Sequence, residues 1–387
     1  MAPTVHTYRS GETGLFVNSY LVEGAAGVVA VDAPLLVSDG RAFRARLEAL
    51  KKPLLGVLVT HPHPDHYNTI TELVAGEDVP VIAHHDVDRE IRAQHDAKRA
   101  QWSPMFGDEW PAGATFPNRT VTDEETVALG DLRFTAWDFG PCESESETVW
   151  LLGDGEVAFV GDLAFNGTHA YLADGHTDAW LLAIDRAEEA LAGVRTLYVG
   201  HGPAALTAVF ADQRRYLLMA REVIARAAGG RAELSDDETS QVESRMGRYL
   251  PDAPLGWLVG AGAPAVAAEL AKESALEGLA YVAGARRAMG LDPGPELPPA
   301  GNVPLVACPS VCTDHVAGGA FIALGVCSAR WLERALPTLR DVSEAAPIDG
   351  AALLHLDVRS DNLCLRDERV FLVDWNLVTR GRKPVST

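Results

Sequence analysis

The strongest constraint in this sequence is the seven-residue stretch THPHPDH at positions 60–66, which directly follows a short apolar run typical of a buried strand. His61 and His63 are two positions apart, so in an extended segment both rings project to the same side. Asp65 and His66 follow at a bend, where they can face a second point nearby. Imidazole and carboxylate groups are the side chains that hold zinc and similar transition metals. The stretch therefore predicts metal ligands rather than a polar surface turn.

Composition and charge narrow the class of protein. The chain has 387 residues, enough for two domains, and 47% of them are hydrophobic. Its formal net charge is -21, and an acidic surface repels phosphate backbones, so no nucleic-acid partner is expected. The N-terminus lacks a basic segment followed by an apolar core, and no apolar run approaches the ~20 residues of a membrane span. Five scattered cysteines suit a reducing cytoplasm, so we expect a cytoplasmic protein with a small-molecule substrate and no membrane contact, its oligomeric state left open.

Three later strand ends carry further candidate ligands. An alternating strand at 132–139 runs into the turn GPCESESE, which contains Glu143, Glu145 and Glu147. A second apolar strand ends at Gly161-Asp162, and a third delivers Gly200-His201-Gly202. Glycines on both sides of His201 allow a sharp turn that leaves the imidazole exposed at the strand end.

In this order, the motifs resemble those of the metallo-β-lactamase superfamily of metallohydrolases. The resemblance extends over residues ~12–215 by motif and to 272 by continuity. It implies an α/β fold, an αββα sandwich with a one- or two-metal site along one edge of the two sheets. Asp32, which ends an early strand, occupies a position where the family commonly carries an aspartate next to the metal.

The resemblance also implies a ligand set. The first metal would be held by His61, His63 and Glu143, the second by Asp65, His66 and His201, with Asp162 bridging the two. Glu143 departs from the family, which usually has a histidine there, and a carboxylate shifts preference towards iron or manganese. Glu145 and Glu147 compete for the same role, and a site with a single ion and no ligand from this turn stays open.

The chemistry implied is hydrolysis by a metal-bound water or hydroxide. The expected cofactor is Zn²⁺, as one or two ions, with iron or manganese as alternatives. The bond would belong to an ester, thioester, lactone or amide, and Asp65 would act as the catalytic base if only one ion is bound. His169, Tyr171, Asp174 and His176 are candidate substrate contacts. The alternatives are a mononuclear iron oxidoreductase on the same fold and a binding module with an inactive metal site.

Two other stretches of the first 272 residues are informative. Residues 98–118 carry five large apolar side chains amid proline and glycine, so we expect a loop that either covers the active site or packs on itself. These side chains are Trp102, Met105, Phe106, Trp110 and Phe116. The pair His84-His85 precedes an acidic helical pattern, and a structural role is favoured over metal binding.

The sequence after residue 272 predicts a segment separate from the hydrolase domain. Residues 1–272 are expected to form the hydrolase domain, 273–304 a helix and a linker rich in proline and glycine, and 305–387 a truncated segment. The spacing of Cys308, Cys312 and His315 suggests three metal ligands without a fourth, so ordinary buried thiols are favoured.

Within 305–387, the stretch LLHLDVRSDN followed by VDW resembles the catalytic loop of aminoglycoside phosphotransferases and related small-molecule kinases. Asp357 would match the catalytic base, and Asn362 and Asp374 the magnesium ligands. No lysine occurs between Lys272 and Lys383 to grip a phosphate, and no glycine-rich loop precedes the motif. We therefore expect a kinase-like partial lobe and disfavour a small-molecule phosphotransferase.

Overall fold

The computed structural model describes residues 3–288 and three short strands at 320–321, 363–366 and 369–372. Contacts divide the chain into two compact units, Met1–Ser274 and Ala275–Thr387. The candidate ligands and the cavity beside them belong to the first unit.

The first unit contains a six-stranded sheet with the spatial order β1–β2–β3–β4–β5–β6. Its strands are β1 (Thr4–Arg9), β2 (Asn18–Glu23), β3 (Val28–Val31), β4 (Leu54–Leu58), β5 (Val81–His84) and β6 (Arg119–Val121). β1, β2 and β3 pair antiparallel, whereas β3 to β6 pair in parallel. Parallel strands end at the same edge of a sheet, so the loops after β3 and β4 lie side by side.

Four helices cover the outer face of this sheet. They are α1 (Val37–Ala49), α2 (Pro64–Tyr67), α3 (Ile70–Val74) and α4 (His85–Phe106). Phe43 and Leu47, four positions apart on α1, are buried against the sheet together with Ile70 of α3 and Ile91 of α4. β4 is apolar along most of its length because it has side chains buried on both faces.

The second sheet has five strands in the order β11–β10–β9–β8–β7. The remaining elements of this half are β7 (Thr126–Leu129), β8 (Leu132–Gly140), β9 (Glu147–Leu152), β10 (Val157–Gly161), α5 (Thr177–Ala190), β11 (Thr196–Val199), α6 (Ala208–Ala228), α7 (Asp236–Tyr249) and α8 (Trp257–Ala288). α7 begins with a capping box between Ser235 and Glu238. Buried side chains of α5 to α8 pack with those of β9 to β11 in one apolar cluster.

The two sheets face each other across an apolar layer. Leu58 of β4 and Val29 of β3 meet Phe134, Trp150 and Phe159 of the second sheet in this layer. The order of layers is therefore helix, sheet, sheet, helix, as the sequence led us to expect for an αββα sandwich.

The second unit contributes one three-stranded antiparallel sheet, formed by β12 (Ala320–Phe321), β13 (Leu363–Arg366) and β14 (Arg369–Leu372). The kinase-like residues Asp357, Asn362 and Asp374 lie outside the described residues, as do Cys308, Cys312 and His315. The kinase-like partial lobe stays a prediction. Across the described parts of the chain, no helix combines the length and apolar character needed to cross a bilayer.

The expectation of a loop at 98–118 is wrong for its first part. α4 continues to Phe106, and one 3₁₀ turn, Gly107–Glu109, follows. Pro104 and the aromatic residues suggested a loop, but this proline lies in the last turn of α4, and Gly107 ends the helix with a positive φ of 55°. The helix formers alanine, arginine, glutamine and lysine dominate the stretch just before it.

Trp150 offers a test of the layer between the sheets. It is fully buried, and its Nε1 donates a hydrogen bond of 3.0 Å to the Val59 carbonyl, next to the histidine loop. Trp150→Phe leaves that carbonyl unpaired and a small void, so we expect the free energy of unfolding to fall by about 1–3 kcal/mol. Trp257→Phe, at a side chain that is 50% exposed, should change it by less than about 0.5 kcal/mol. Equal urea midpoints for the two variants would contradict this account.

Candidate metal centre

Loops at the carboxyl ends of neighbouring strands bring the predicted ligands to one edge of the sandwich. The loop after β4 carries the four residues of the histidine motif, and the β8–β9 turn carries Glu143. Asp162 directly follows β10, and His201 lies two residues beyond β11. The residues brought together are His61, His63, Asp65, His66, Glu143, Asp162 and His201.

Three donors form a first group. His61, His63 and Glu143 each offer a ligand atom, and these atoms lie within 4.8 Å of one another. The Oε2 atom of Glu143 is 2.6 Å from Nδ1 of His63 and 3.6 Å from Nε2 of His61. All three residues are buried, so the group is shielded from bulk water.

Asp65, His66 and His201 form a second group of the same size. Oδ2 of Asp65 lies 3.3 Å from Nε2 of His201 and 3.7 Å from Nε2 of His66. Asp162 stands between the two groups. Its carboxylate is 3.9 Å from Nε2 of His61 in the first group, and 3.5 Å and 3.4 Å from the Nε2 atoms of His66 and His201 in the second.

Each histidine is oriented by a hydrogen bond from its other ring nitrogen. Nε2 of His63 donates to Asp174 at 3.0 Å, and Nδ1 of His66 donates to Asp32 at 2.9 Å. Nδ1 of His201 donates to the Leu15 carbonyl at 3.0 Å, and Nδ1 of His61 lies 3.0 Å from the hydroxyl of Thr60. Such outer partners fix the ring and the tautomer of metal-binding histidines, and they leave Nδ1 of His63 and Nε2 of the other three for the centre.

The unpaired atoms of these residues fit a metal site. Nε2 of His61 and His66, Oε2 of Glu143 and Oδ1 of Asp162 are buried and have no hydrogen-bond partner among the described residues. Two ligands about 2.1 Å from a tetrahedral ion stand about 3.4 Å apart, which matches most of the separations above. Buried polar atoms without partners are costly, and a cation shared between them removes that cost.

Gly200 leaves the room that this arrangement needs. A Cβ atom there would collide with Oδ1 of Asp162 and lie 2.7 Å from Cε1 of His66. The residue before His201 therefore has to be glycine for steric reasons that involve Asp162 and the second donor group.

The metal-free site has unusual pKa values. Burial, with help from His66, lowers the pKa of His61 to about 4. Burial also opposes charge on His63 and His66, but the facing carboxylates outweigh it and raise their pKa values to about 10 and about 9. The same carboxylates raise the pKa of His201 well above its usual range, whereas His201 and His66 overcome burial and lower that of Asp162 to about 2. Without an ion, the raised pKa values of His63, His66 and His201 favour their doubly protonated, positively charged forms at neutral pH.

The three glutamates of the β8–β9 turn have different positions. Glu143 faces His61 and His63. Glu145 is partly exposed and lies 3.2 Å from His176. Glu147 is buried behind the first group, where its Oε1 accepts a hydrogen bond from the backbone N–H of Asp162, and burial raises its pKa well above the usual range.

A cavity of about 360 Å³ opens beside the two donor groups. Tyr171 lines it, with its ring centroid 5.3 Å from that of His63. His169 and His176 do not line it: His169 shares a hydrogen bond of 3.1 Å with Tyr216, and His176 faces Glu145. The spacing of these three residues in one loop gave no signal for that difference.

Asp174, a candidate substrate contact in the same loop, does not line the cavity and instead accepts a hydrogen bond from His63. Its contact with His63 joins positions 111 residues apart, and no local pattern marks it. Of the five apolar residues in the stretch 98–118, four line the cavity and Phe116 packs beneath α4 against His95. The pair His84-His85 lies at the start of α4, where Nδ1 of buried His84 accepts a hydrogen bond from the Asp86 N–H.

A comparison with protein families matches about half of the chain. A family model described as "Metallo-beta-lactamase superfamily" matches residues 13–201, which form a metallo-β-lactamase superfamily domain. No curated protein matches the chain.

Similar solved structures include three metallo-β-lactamases. The enzyme from Pontibacter korlensis is 20% identical, with a TM-score of 0.45, and the match covers 55% of this chain and 94% of that one. FIM-1 from Pseudomonas aeruginosa, in its mono-zinc form, is 19% identical, with a TM-score of 0.43 and coverage of 56% and 91%. The Hirschia baltica enzyme is 15% identical, with a TM-score of 0.43 and coverage of 55% and 91%.

The contact between Asp174 and His63 can be tested by Asp174→Asn, which keeps the shape of the side chain and removes its charge. Because an outer carboxylate orients the ring and makes it more basic, we expect zinc affinity to fall about 10–100-fold. Competition with a chromophoric chelator measures this change. Asp154→Asn, in the exposed β9–β10 turn, is the matched control and should bind like the unaltered protein. Unchanged affinity in Asp174→Asn would show that the contact does not support the site.

Metal binding should also depend on pH. A metal ion has to displace the second proton of His63, His66 and His201, because only the neutral imidazole is a ligand. Because the pKa values of these histidines are raised, metal affinity decreases as pH falls, by roughly tenfold per pH unit for each proton displaced. Calorimetry in buffers of different ionisation enthalpy, between pH 6 and 8, counts the protons released. Binding without proton release would refute the assignment.

Proposed function

We propose that this metallo-β-lactamase superfamily domain is a metal-dependent hydrolase that cleaves an ester, thioester, lactone or amide bond of a small molecule. The observation that carries the proposal is the pair of buried donor groups that face Asp162 from two sides. Each group combines imidazole with carboxylate, and each histidine has an outer hydrogen-bond partner. Those partners occupy the outer ring nitrogens, and Nε2 of His61 and His66 stays buried without a hydrogen-bond partner among the described residues.

His61, His63 and Glu143 would hold the first ion, and Asp65, His66 and His201 the second, with Asp162 between them. Zinc suits the imidazoles, and the mixture of nitrogen and oxygen donors also accepts iron or manganese. When bound, a divalent ion would supply a water with a pKa of about 7 and would polarise the carbonyl that is attacked.

Asp65 is the candidate proton acceptor if only the first ion is bound. All three carboxylates border the cavity, but the side chain of Asp65 is 13% exposed, whereas those of Glu143 and Asp162 are 2% and 3% exposed. A base has to reach the proton that it takes, so this accessibility favours Asp65 among the three carboxylates. His201 and His66 hold the Asp65 carboxylate in place from the other side.

The cavity supports a small substrate. Its volume of about 360 Å³ lies at the lower end of the usual range for small-molecule sites, about 300–1,000 Å³. Trp102, Phe106 and Trp110 form an apolar wall that limits water near the reacting bond. With the net charge of -21, these features favour a small molecule over a nucleic acid.

A mononuclear iron oxidoreductase is the second candidate function. His61, His63 and Glu143 are two histidines and one carboxylate, the combination that non-haem iron oxygenases use with open positions for substrate and oxygen. Oxygen uptake by iron-loaded protein, without release of an acid from esters, would favour this alternative over hydrolysis.

The double variant His61→Ala/His63→Ala tests the hydrolase directly. It removes two of the three donors of the first group, so we expect that ion to be lost and hydrolysis of activated aryl esters to fall at least 1,000-fold, roughly 4 kcal/mol. Metal content per chain and initial rates are measured on the same preparation. His84→Ala/His85→Ala is the matched control, since it also removes two histidines but leaves both donor groups intact. Because His84, His85 and Asp86 form a separate group of possible ligands, the rate of ester hydrolysis is the readout for this control. Activity that survives in a metal-free double variant would refute the proposal.

A further inference from the structure

One face of α4 lines the cavity, and its chemistry changes along its length. Lys98, Trp102, Met105 and Phe106 all border the cavity, at spacings of four, three and one that place them on the same side of a helix. Eight residues of helix span about 12 Å, so the lysine and Phe106 mark opposite ends of this wall.

Lys98 stands at the end of the cavity that holds the first donor group. Its Nζ lies 5.9 Å from the ring centroid of Tyr171, whose ring is in turn 5.3 Å from that of His63. The two carboxylates at this end, Glu143 and Asp174, are both held by His63. No carboxylate of the described residues forms an ion pair with Lys98, and no other lysine or arginine borders this cavity within that part of the chain.

The other end of the cavity is apolar. Trp110 lines it, and the rings of Phe106 and Trp110 stack with centroids 6.3 Å apart, while Leu258 also borders the cavity. Met105 and Trp257, also on the lining, are 69% and 50% exposed. Covering large exposed apolar side chains around a cavity with an apolar group lowers the free energy of the complex.

We propose that the substrate is an amphiphilic anion: Lys98 binds a carboxylate close to the reacting bond, and a bulky acyl or aromatic group lies along Trp102, Phe106 and Trp257. This inference rests on the proposed hydrolase and names its substrate class. An ammonium group with no ion-pair partner among the described residues, in a chain with 33 basic and 54 acidic residues, is suited to hold an anion that the substrate brings.

Three synthetic esters test the proposal on the zinc-loaded full chain. Decanoyl glycolate has a carboxylate next to the ester and a long apolar tail, decanoyl glycolamide lacks only the charge, and acetyl glycolate lacks the tail. We expect kcat/KM for decanoyl glycolate to exceed those of the other two at least tenfold. Lys98→Met should lose about 10–100-fold on decanoyl glycolate and stay within about twofold on the amide. Lys98→Arg, which keeps the charge, should retain most of the preference.

Lys51→Met is the matched control, because it removes one positive charge in the turn between α1 and β4, away from the cavity lining. It should leave all three rates unchanged. Equal losses on the charged and neutral esters in Lys98→Met would overturn the role of the lysine, and so would a wild-type protein without preference for the charged one.

Binding separates this inference from the hydrolase itself. Calorimetry compares N-decanoylglycine with N-decanoylglycinamide on zinc-loaded wild type and Lys98→Met. Tighter binding of the carboxylate that is lost in the variant, without turnover of any ester, would leave the anion site standing and refute hydrolysis. Turnover without a preference that depends on Lys98, in rate or in binding, would leave the hydrolase standing and overturn the proposed substrate class.

Discussion

Asp32 accepts three hydrogen bonds that fix the histidine loop against the end of β3. Its carboxylate takes the backbone N–H and the hydroxyl of Thr60, each at 2.8 Å, and Nδ1 of His66 at 2.9 Å. The Thr60 hydroxyl, having donated to Asp32, can accept from Nδ1 of His61. One buried carboxylate thus orients a histidine in each donor group. Asp32 itself has a positive φ of 60°, a backbone conformation that aspartate tolerates better than most residues do.

In the absence of an ion, the buried charges of this arrangement lower the free energy of unfolding. Glu143, Glu147 and Asp162 are all at least 97% buried, close to four buried histidines. Removing charges from water costs several kcal/mol each unless they are paired, and their mutual attraction recovers only part of that cost. The apolar layers on both sides of the edge, including the one that contains Trp150, therefore have to stabilise a site that does not stabilise itself.

The sequence revealed those parts of the site whose ligands are close together in the chain or follow strong strands. The spacing of residues 61–66 predicted them as ligands, and the positions of Asp162 and His201 after apolar strands predicted these two. The contacts of Asp174 with His63 and of the Leu15 carbonyl with His201 could not be predicted in this way, since they join positions 111 and 186 residues apart. β1 also gave little signal, because it is an edge strand with one buried side chain. α4 was misread beyond position 97 because its aromatic residues face a cavity and not the core.

The loop between β10 and α5 contributes both to the cavity wall and to the orientation of a histidine. It carries Asp162 between the donor groups, Tyr171 on the cavity wall and Asp174 behind His63. Tyr171 also lies between His63 and Lys98. A change in the path of this loop would move the cavity wall and an outer partner of a histidine together. The shape of the substrate site and the orientation of its ligands are therefore coupled through one short segment of backbone.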